Sequence, residues 1–185
     1  MYKDLDEQDL AIYCVEGDKM AENELYIRYA ARVFTLCRRY LDEDEAKDFM
    51  QETLIQALDK IHTFKYSGKG SLFKWIRQIA INKVLNHLKR KRWRTIPLDL
   101  SLKDDIPEPA KEDIVTISQE KLIEWISELP YLRRTVFNLY CIDGFSHKEI
   151  GELLGITEKG SASVLAKARK QLKKEIMQYI KETGQ

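Results

Sequence analysis

Apolar side chains recur every three or four residues along most of this chain. One stripe runs Leu25, Tyr29, Val33, Leu36, Tyr40 and a second Phe49, Leu54, Leu58, Ile61. A third runs Leu72, Trp75, Ile76, Ile79, followed by Ile81, Val84, Leu85, Leu88. That spacing gathers each set on one face of a helix. A shorter helix ends near Gly17, and Asp18, Asp42 and Ser71 stand where side-chain oxygens cap helix starts. Between the second and third stripes, FKYSGKGS holds Gly68 and Gly70 and reads as a loop. Residues 1–94 therefore predict a helical bundle ending in a long helix.

The period stops at residues 95–115, TIPLDLSLKDDIPEPAKEDIV, which hold three of the four prolines (Pro97, Pro107, Pro109). This stretch predicts an acidic, flexible linker. Helical spacing resumes over residues 116–185. A helix from near Ser118 carries Leu122, Trp125, Ile126 and Leu129 up to Pro130. Another carries Val136, Phe137, Leu139 and Tyr140 and ends at Gly144. The expected fold is all-α: two small helical domains, 1–94 and 116–185, on either side of the linker.

Within the second domain, SHKEIGELLGITEKGSASVLAKAR (residues 146–169) has its own grammar. Ser146 and Glu149 form a capping box, in which each side chain satisfies an orphan backbone amide. Ile150, Leu153 and Leu154 make an apolar side, and small Gly151 lets a second helix cross closely. Gly155 suits the positive φ of a tight turn, Ile156 anchors that turn, and Thr157 caps a longer helix. A helix, a glycine turn and a second helix can present the latter to the DNA major groove. From Lys159 to Lys174 that helix has no acid and carries Lys159, Lys167, Arg169, Lys170, Lys173 and Lys174.

Charge sharpens this picture. The whole chain is nearly neutral, at +1. Residues 60–94 nevertheless hold 11 bases and no acid, whereas residues 1–59 hold 15 acids and 7 bases. Clustered bases release condensed cations when they meet phosphates, so the counterpart of the acid-free segment is a polyanion. Phe64, Tyr66, Phe73, Trp75 and Trp93 are interleaved with these bases and offer faces on which unpaired bases stack.

Composition excludes several classes. No apolar run approaches the roughly 20 residues that span a bilayer. MYKDLDEQDL has acids where a secretory leader is apolar, so a cytoplasmic location without membrane insertion is expected. Cys14, Cys37 and Cys141 form no CxxC pair and read as small apolar fillers in a reducing compartment. His62, His87 and His147 are preceded at three residues by Asp59, Val84 and Gly144. The Glu-x-x-His pairs of helical metal sites are therefore missing. Neither an enzyme nor a bound metal or cofactor is expected. A protein-only adaptor would leave the acid-free segment unexplained.

Three blocks in order now carry a resemblance: DEDEAKDFMQETLIQAL, FKYSGKGSLFKWIRQIAINKVLNHLKRKR, and LPYLRRTVFNLYCIDGFSHKEIGELLGI. Together the chain resembles bacterial sigma factors of the extracytoplasmic-function (ECF) group of the sigma-70 superfamily. The resemblance implies that the first block grips the clamp of the β′ subunit of RNA polymerase core, through Asp48, Gln51, Glu52 and Gln56. Their spacing sets these four polar groups on one helix face. The second block would melt and read the −10 element. Phe64, Tyr66, Ser67, Lys69, Ser71 and Trp75 would surround an unstacked base, Lys74, Arg77, Lys83 and Arg90 would hold the backbone, and Asn82 and Asn86 would address base edges. Stacking contributes about 1–3 kcal/mol per base, enough to offset one flip.

The third block would read the −35 element through Ser146, Thr157, Lys159, Ser161, Ala162, Ser163, Lys167, Arg169 and Lys170. Here the sequence departs from the family's Gly-Thr-Val-Lys-Ser-like helix start. Ala162 stands where a base is usual, Lys159 supplies charge one turn earlier, and Gly160 costs about 1 kcal/mol relative to alanine. The resemblance also implies partners: RNA polymerase core through β′ and β, promoter DNA both duplex and single-stranded, and an anti-sigma factor. The competing expectation is a helix-turn-helix regulator that acts without polymerase, which would need a dimer interface or ligand pocket.

Overall fold

The structure is a computed structural model that describes residues 2–92 and 117–183, without the side chains of 90–92 and 119–120. The linker expected at 95–115, Trp93 and the side chain of Arg90 lie outside the described residues. The chain divides into two compact units, 1–94 and 95–185. Among the described residues there are helices and turns and no strand.

The amino-terminal unit holds α1 (Glu7–Val15), α2 (Lys19–Arg38), α3 (Glu43–Asp59) and α4 (Ser71–Arg92), with short 3₁₀ turns at Tyr2–Asp4 and Ile61–Thr63. Asp18 caps α2, accepting from the Met20 and Ala21 amides, and Asp42 caps α3, accepting from Glu45. The predicted stripes meet in one core. Leu25, Tyr29, Val33, Leu36, Leu54, Leu72, Ile76, Ile81, Val84, Leu85 and Leu88 are all buried. Trp75 stays half-buried at the edge.

Ser71 is not the cap of α4 but its first helical residue, and its hydroxyl accepts instead from the Ser67 amide at 3.3 Å. The capping acceptor comes from far away in sequence. Glu7 Oε2 accepts from the Leu72 amide at 3.1 Å, while its Oε1 accepts from the buried Tyr29 hydroxyl at 3.0 Å. A single carboxylate on α1 thereby ties α2 to the start of α4 and fixes where the preceding loop ends. Glu7→Ala should cost the amino-terminal unit about 2 kcal/mol, a lost cap plus an orphaned phenol, read as a lower urea midpoint. Glu7→Gln, which keeps one acceptor, should cost less.

The carboxy-terminal unit holds α5 (Gln119–Glu128), α6 (Tyr131–Phe137), a π-helical turn (Asn138–Ile142), α7 (His147–Leu154) and α8 (Glu158–Thr183). Ser118 caps α5 and Pro130 starts α6. Trp125 of α5 and Leu129 just after it pack with Ala168 and Leu172 of α8, and the Tyr179 ring meets Trp125 edge-on at 5.5 Å. The helix expected to run unchanged to Gly144 instead widens after Phe137, and the Asp143 amide reaches back five residues to the Asn138 carbonyl at 2.9 Å.

The α7–α8 pair follows its sequence signature. The Glu149 amide donates to Ser146 Oγ at 3.2 Å, and the Ser146 amide donates to Glu149 Oε2 at 2.8 Å. Those hydrogen bonds hold the Glu149 carboxyl below the ordinary carboxylate range. Gly155 sits at φ 70°, and the Gly160 amide donates to Thr157 Oγ1 at 2.9 Å. Cys14 and Cys37 are buried, and burial pushes their thiols up to about 11 and about 12. Cys141 departs from the filler reading, because it is exposed on the π turn.

Candidate functional site

Three surfaces gather the residues singled out by sequence. On α3, Asp48, Gln51 and Glu52 are exposed and Gln56 is half-buried, opposite buried Ala46, Leu54 and Ala57. Ile55 stands among them, four residues beyond Gln51, with 60% of its surface exposed. Sequence reasoning missed it, although an isoleucine outside the apolar stripe was there to be read. An apolar side chain ringed by acids and amides is the composition of a docking face, an anchor inside a polar rim.

The second surface is the loop and helix after α3. Gly68 and Gly70 have φ of +114° and +88°, conformations that other residues adopt with strain. They turn the chain so that the Ser71 amide reaches the Gly68 carbonyl at 3.1 Å and α4 begins. Tyr66, Ser67 and Lys69 are exposed on the loop, as is Lys74 on α4, while Ser71 and Arg77 are half-buried. A cavity of about 320 Å³ opens between the loop and α1, walled by Ile12, Val15, Ile61, Phe64 and Tyr66. Trp75 is not in that wall. It meets the loop through Phe64, with ring centroids 5.7 Å apart. Phe73 is already occupied, stacked on Tyr29 at 6.0 Å with the Arg32 guanidinium 3.5 Å from its centroid. It offers no free face to a base.

Between α3 and α4 lies an open polar groove of about 660 Å³. Glu52, Gln56 and Lys60 line one side, and Asn82, Lys83 and Asn86 the other. Sequence reasoning assigned Glu52 and Gln56 to one partner and Asn82, Lys83 and Asn86 to another, yet the fold brings them together. Lys83 Nζ lies 2.9 Å from Glu52 Oε2. Asn82 Oδ1 accepts from the Gln78 side chain at 3.0 Å.

The third surface is the start of α8. Thr157, Lys159, Ala162, Arg169 and Lys170 are exposed, and Ser163 and Lys167 half-exposed. Ser146, also exposed, commits its side chain to the capping box. Ser161 contradicts its assignment to the DNA-facing set, because it is wholly buried. It falls in register with Val164, Leu165, Ala168 and Leu172, which all face the core. Its hydroxyl lies 3.0 Å from Nδ1 of His147, a residue that sequence reasoning had not placed in this surface. Among the described residues no group of three or more His, Cys, Asp or Glu is gathered to hold a metal ion.

Residues 25–94 match the family model for sigma-70 region 2, and residues 119–172 match that for sigma-70 region 4. The ECF RNA polymerase sigma factor SigM of Bacillus subtilis is 30% identical over 159 residues, covering 83% of this chain and 94% of its own. This chain belongs to the ECF group of the sigma-70 family. The sigma-E factor of Haemophilus influenzae is 26% identical, covering 95% of this sigma factor and 98% of its own length. A solved structure of the Bartonella quintana sigma factor RpoE, bound to its anti-sigma factor NepR, shares the fold. Its TM-score is 0.51, at 18% identity over 82% of this chain and 94% of that one.

In this sigma factor the region 2 match takes in α3, the glycine loop and α4. The region 4 match takes in α5, α6, the π turn, α7 and the first half of α8. Helix α1 lies outside both matches, yet it supplies Glu7 and one wall of the loop cavity. A regulator that works apart from polymerase is not favoured by these relatives.

Proposed function

We propose that this sigma factor directs RNA polymerase core to promoters and opens them there, the amino-terminal unit gripping the clamp and the −10 element and the carboxy-terminal unit reading the −35 element. The observation that carries the reading is the ordered pair of region 2 and region 4 matches on a chain whose acid-free segment forms the loop and α4. Asp48, Gln51, Glu52 and Gln56, with Ile55 as apolar anchor, dock on the β′ clamp. Contacts to the β subunit complete the core interface.

At the −10 element the cavity between the loop and α1 receives a base turned out of the duplex. Phe64 and Tyr66 supply its aromatic wall, and Trp75 buttresses Phe64 from α4. Ser67, Lys69 and Ser71 hold the adjoining backbone, with Lys74, Arg77 and Lys83 following along the strand. Asn82 and Asn86 meet base edges in the α3–α4 groove. Polymerase docking draws Glu52 toward basic groups on the partner and leaves Lys83 for phosphate.

At the −35 element Lys159, Ala162 and Ser163 approach base edges. Thr157, Lys167, Arg169 and Lys170 meet phosphates, which position the helix without specifying sequence. The activity is one of binding and strand opening rather than bond-making, and no cofactor enters it. The protein works in the cytoplasm, and among the described residues no helix is long and apolar enough to cross a membrane. An anti-sigma factor covers the polymerase face when transcription is to be held off, in keeping with the structural relative that was solved with one.

The test uses holoenzyme and a partly single-stranded DNA with a randomised unpaired stretch. Lys74→Ala combined with Arg77→Ala should weaken binding about tenfold and lower the salt slope by about 0.7 for each phosphate left without its cation. An unchanged slope would remove these residues from the DNA path.

A further inference from the structure

We propose that His147 is a positioning residue for −35 recognition: held between the Tyr140 ring and the Ser161 hydroxyl, its imidazole sets the angle at which the first turns of α8 are presented to DNA. The proposal rests on the reading of the carboxy-terminal unit as the −35 reader.

Three elements converge on this one side chain. His147 is the first residue of α7 and is half-buried. Its ring lies nearly parallel to that of Tyr140 from the π turn, at 18° with centroids 4.3 Å apart. Its Nδ1 meets the buried Ser161 Oγ on α8 at 3.0 Å. Ile150 and Leu154 of α7 and Val164 and Leu165 of α8 are all buried, so the two helices also bring apolar side chains to the core. Apolar contacts are not directional, so they permit small rotations and slides of one helix on the other. A hydrogen bond to a buried hydroxyl is directional, and it leaves that hydroxyl unsatisfied when broken. Ser161 stands between Lys159 and the pair Ala162–Ser163, so any turn of α8 that displaces its hydroxyl displaces the proposed base-reading residues with it.

The π turn now has a use. Its wider coil carries Tyr140 out of the core register of Val136 and Leu139, where the exposed ring covers the imidazole. Arg169 of α8 sits on the same ring, its guanidinium 5.8 Å from the Tyr140 centroid, with Nη2 3.9 Å from Cys141 Sγ.

The ring works in its neutral form. An imidazolium at the first residue of α7 would oppose the positive end of the helix dipole. Burial acts against it most strongly, Glu158 at the start of α8 acts for it, and the Arg169 charge adds a smaller opposition. The balance leaves His147 below the ordinary histidine value. On its own helix, Glu149 is turned to Ser146 and Lys148 is exposed. A histidine whose folded value is lowered favours the folded arrangement fully above its unfolded value of about 6.5. That contribution is lost as pH falls through the folded value.

The experiment uses holoenzyme and a promoter that it selects, on two templates that differ only in an intact or scrambled −35 element. The ratio of transcripts from the two cancels the pH dependence of polymerase itself. For the natural chain the ratio should be constant above pH 7 and fall about threefold by pH 5.5. His147→Asn, whose carboxamide reaches the Nδ1 position without titrating, should keep the ratio within about twofold at pH 7.5 and flatten the profile. His147→Ala and Ser161→Ala should each lower the ratio about tenfold, equivalent to about 1.4 kcal/mol, and the double variant no further.

Should His147→Ala fail to fold, the profile of the natural chain and that of His147→Asn still decide. A natural-chain ratio that rises in acid would overturn the proposal, since it would mean an imidazolium touching phosphate. So would a large ratio indifferent to all the substitutions, with −35 reading itself intact. A ratio of one for the natural chain would instead remove −35 reading, and the proposal with it.

Discussion

Gly151→Ala should unfold the carboxy-terminal unit at a temperature about 10 °C lower than the natural chain, with the amino-terminal unit unchanged. Gly151 has helical backbone angles, so the cost is one of space. A Cβ there would lie 2.7 Å from the Ile156 carbonyl oxygen, a backbone atom held in place by the turn it belongs to. The Ile156 amide is bonded to the Gly151 carbonyl at 3.1 Å, so moving Ile156 away also breaks that bond. Overpacking of this kind costs about 3 kcal/mol at its upper end, and about 4–8 °C accompany each kcal/mol in a unit of this size. Gly155→Ala should behave differently. No atom lies within 4 Å of its Cβ position, and its cost of about 1–2 kcal/mol comes from φ 70° alone. Gly155→Asn should recover part of that loss, whereas Gly151→Asn should not. Amide exchange across residues 147–172, compared with residues 25–88, separates the two units.

Reversing charge on α3 should have the largest effect on function. Asp48→Lys together with Glu52→Lys should lower affinity for core polymerase about a hundredfold, or about 2.7 kcal/mol, because like charges would then face the partner. Glu52→Lys also removes the Lys83 ion pair, which as a partly exposed contact contributes about 1 kcal/mol to folding. Asp48→Lys alone carries no such complication and should account for about tenfold. Ile55→Ala should weaken core binding by a similar factor while leaving the melting temperature unchanged, since that side chain is 60% exposed. Competition against labelled natural chain for a fixed amount of core measures all four.

What was legible in the sequence follows the range of the interactions involved. Asp18, Asp42, the Ser146–Glu149 box and Gly155 act within one helical turn of themselves, and each does in the structure what its local context predicts. The all-α class and the buried stripes rest on the same short-range periodicity. Ser71 failed as a cap because Glu7, 65 residues from Leu72, supplies the acceptor. No local pattern encodes that reach. The π turn was hidden because Asn138–Ile142 keep nearly helical spacing, and one extra residue per turn leaves little trace in an apolar stripe.

Ser161 could have been placed correctly, since it shares the inward register of Val164, Leu165 and Ala168. A serine in a family motif was read for its chemistry rather than its phase. The pairing of Glu52 with Lys83 depends on how α3 lies against α4, so two sites that were separate in sequence share one groove. His147 carried only the signal of its place at a helix start. Its role came from Tyr140 and Ser161, on two other elements.

The most direct test of the account adds the purified chain to core polymerase on a library of genomic DNA and maps the 5′ ends of the transcripts. The account predicts discrete starts, absent with core alone, that share two sequence elements upstream at fixed separation and vanish with Asp48→Lys and Glu52→Lys combined. Starts distributed as with core alone would contradict it.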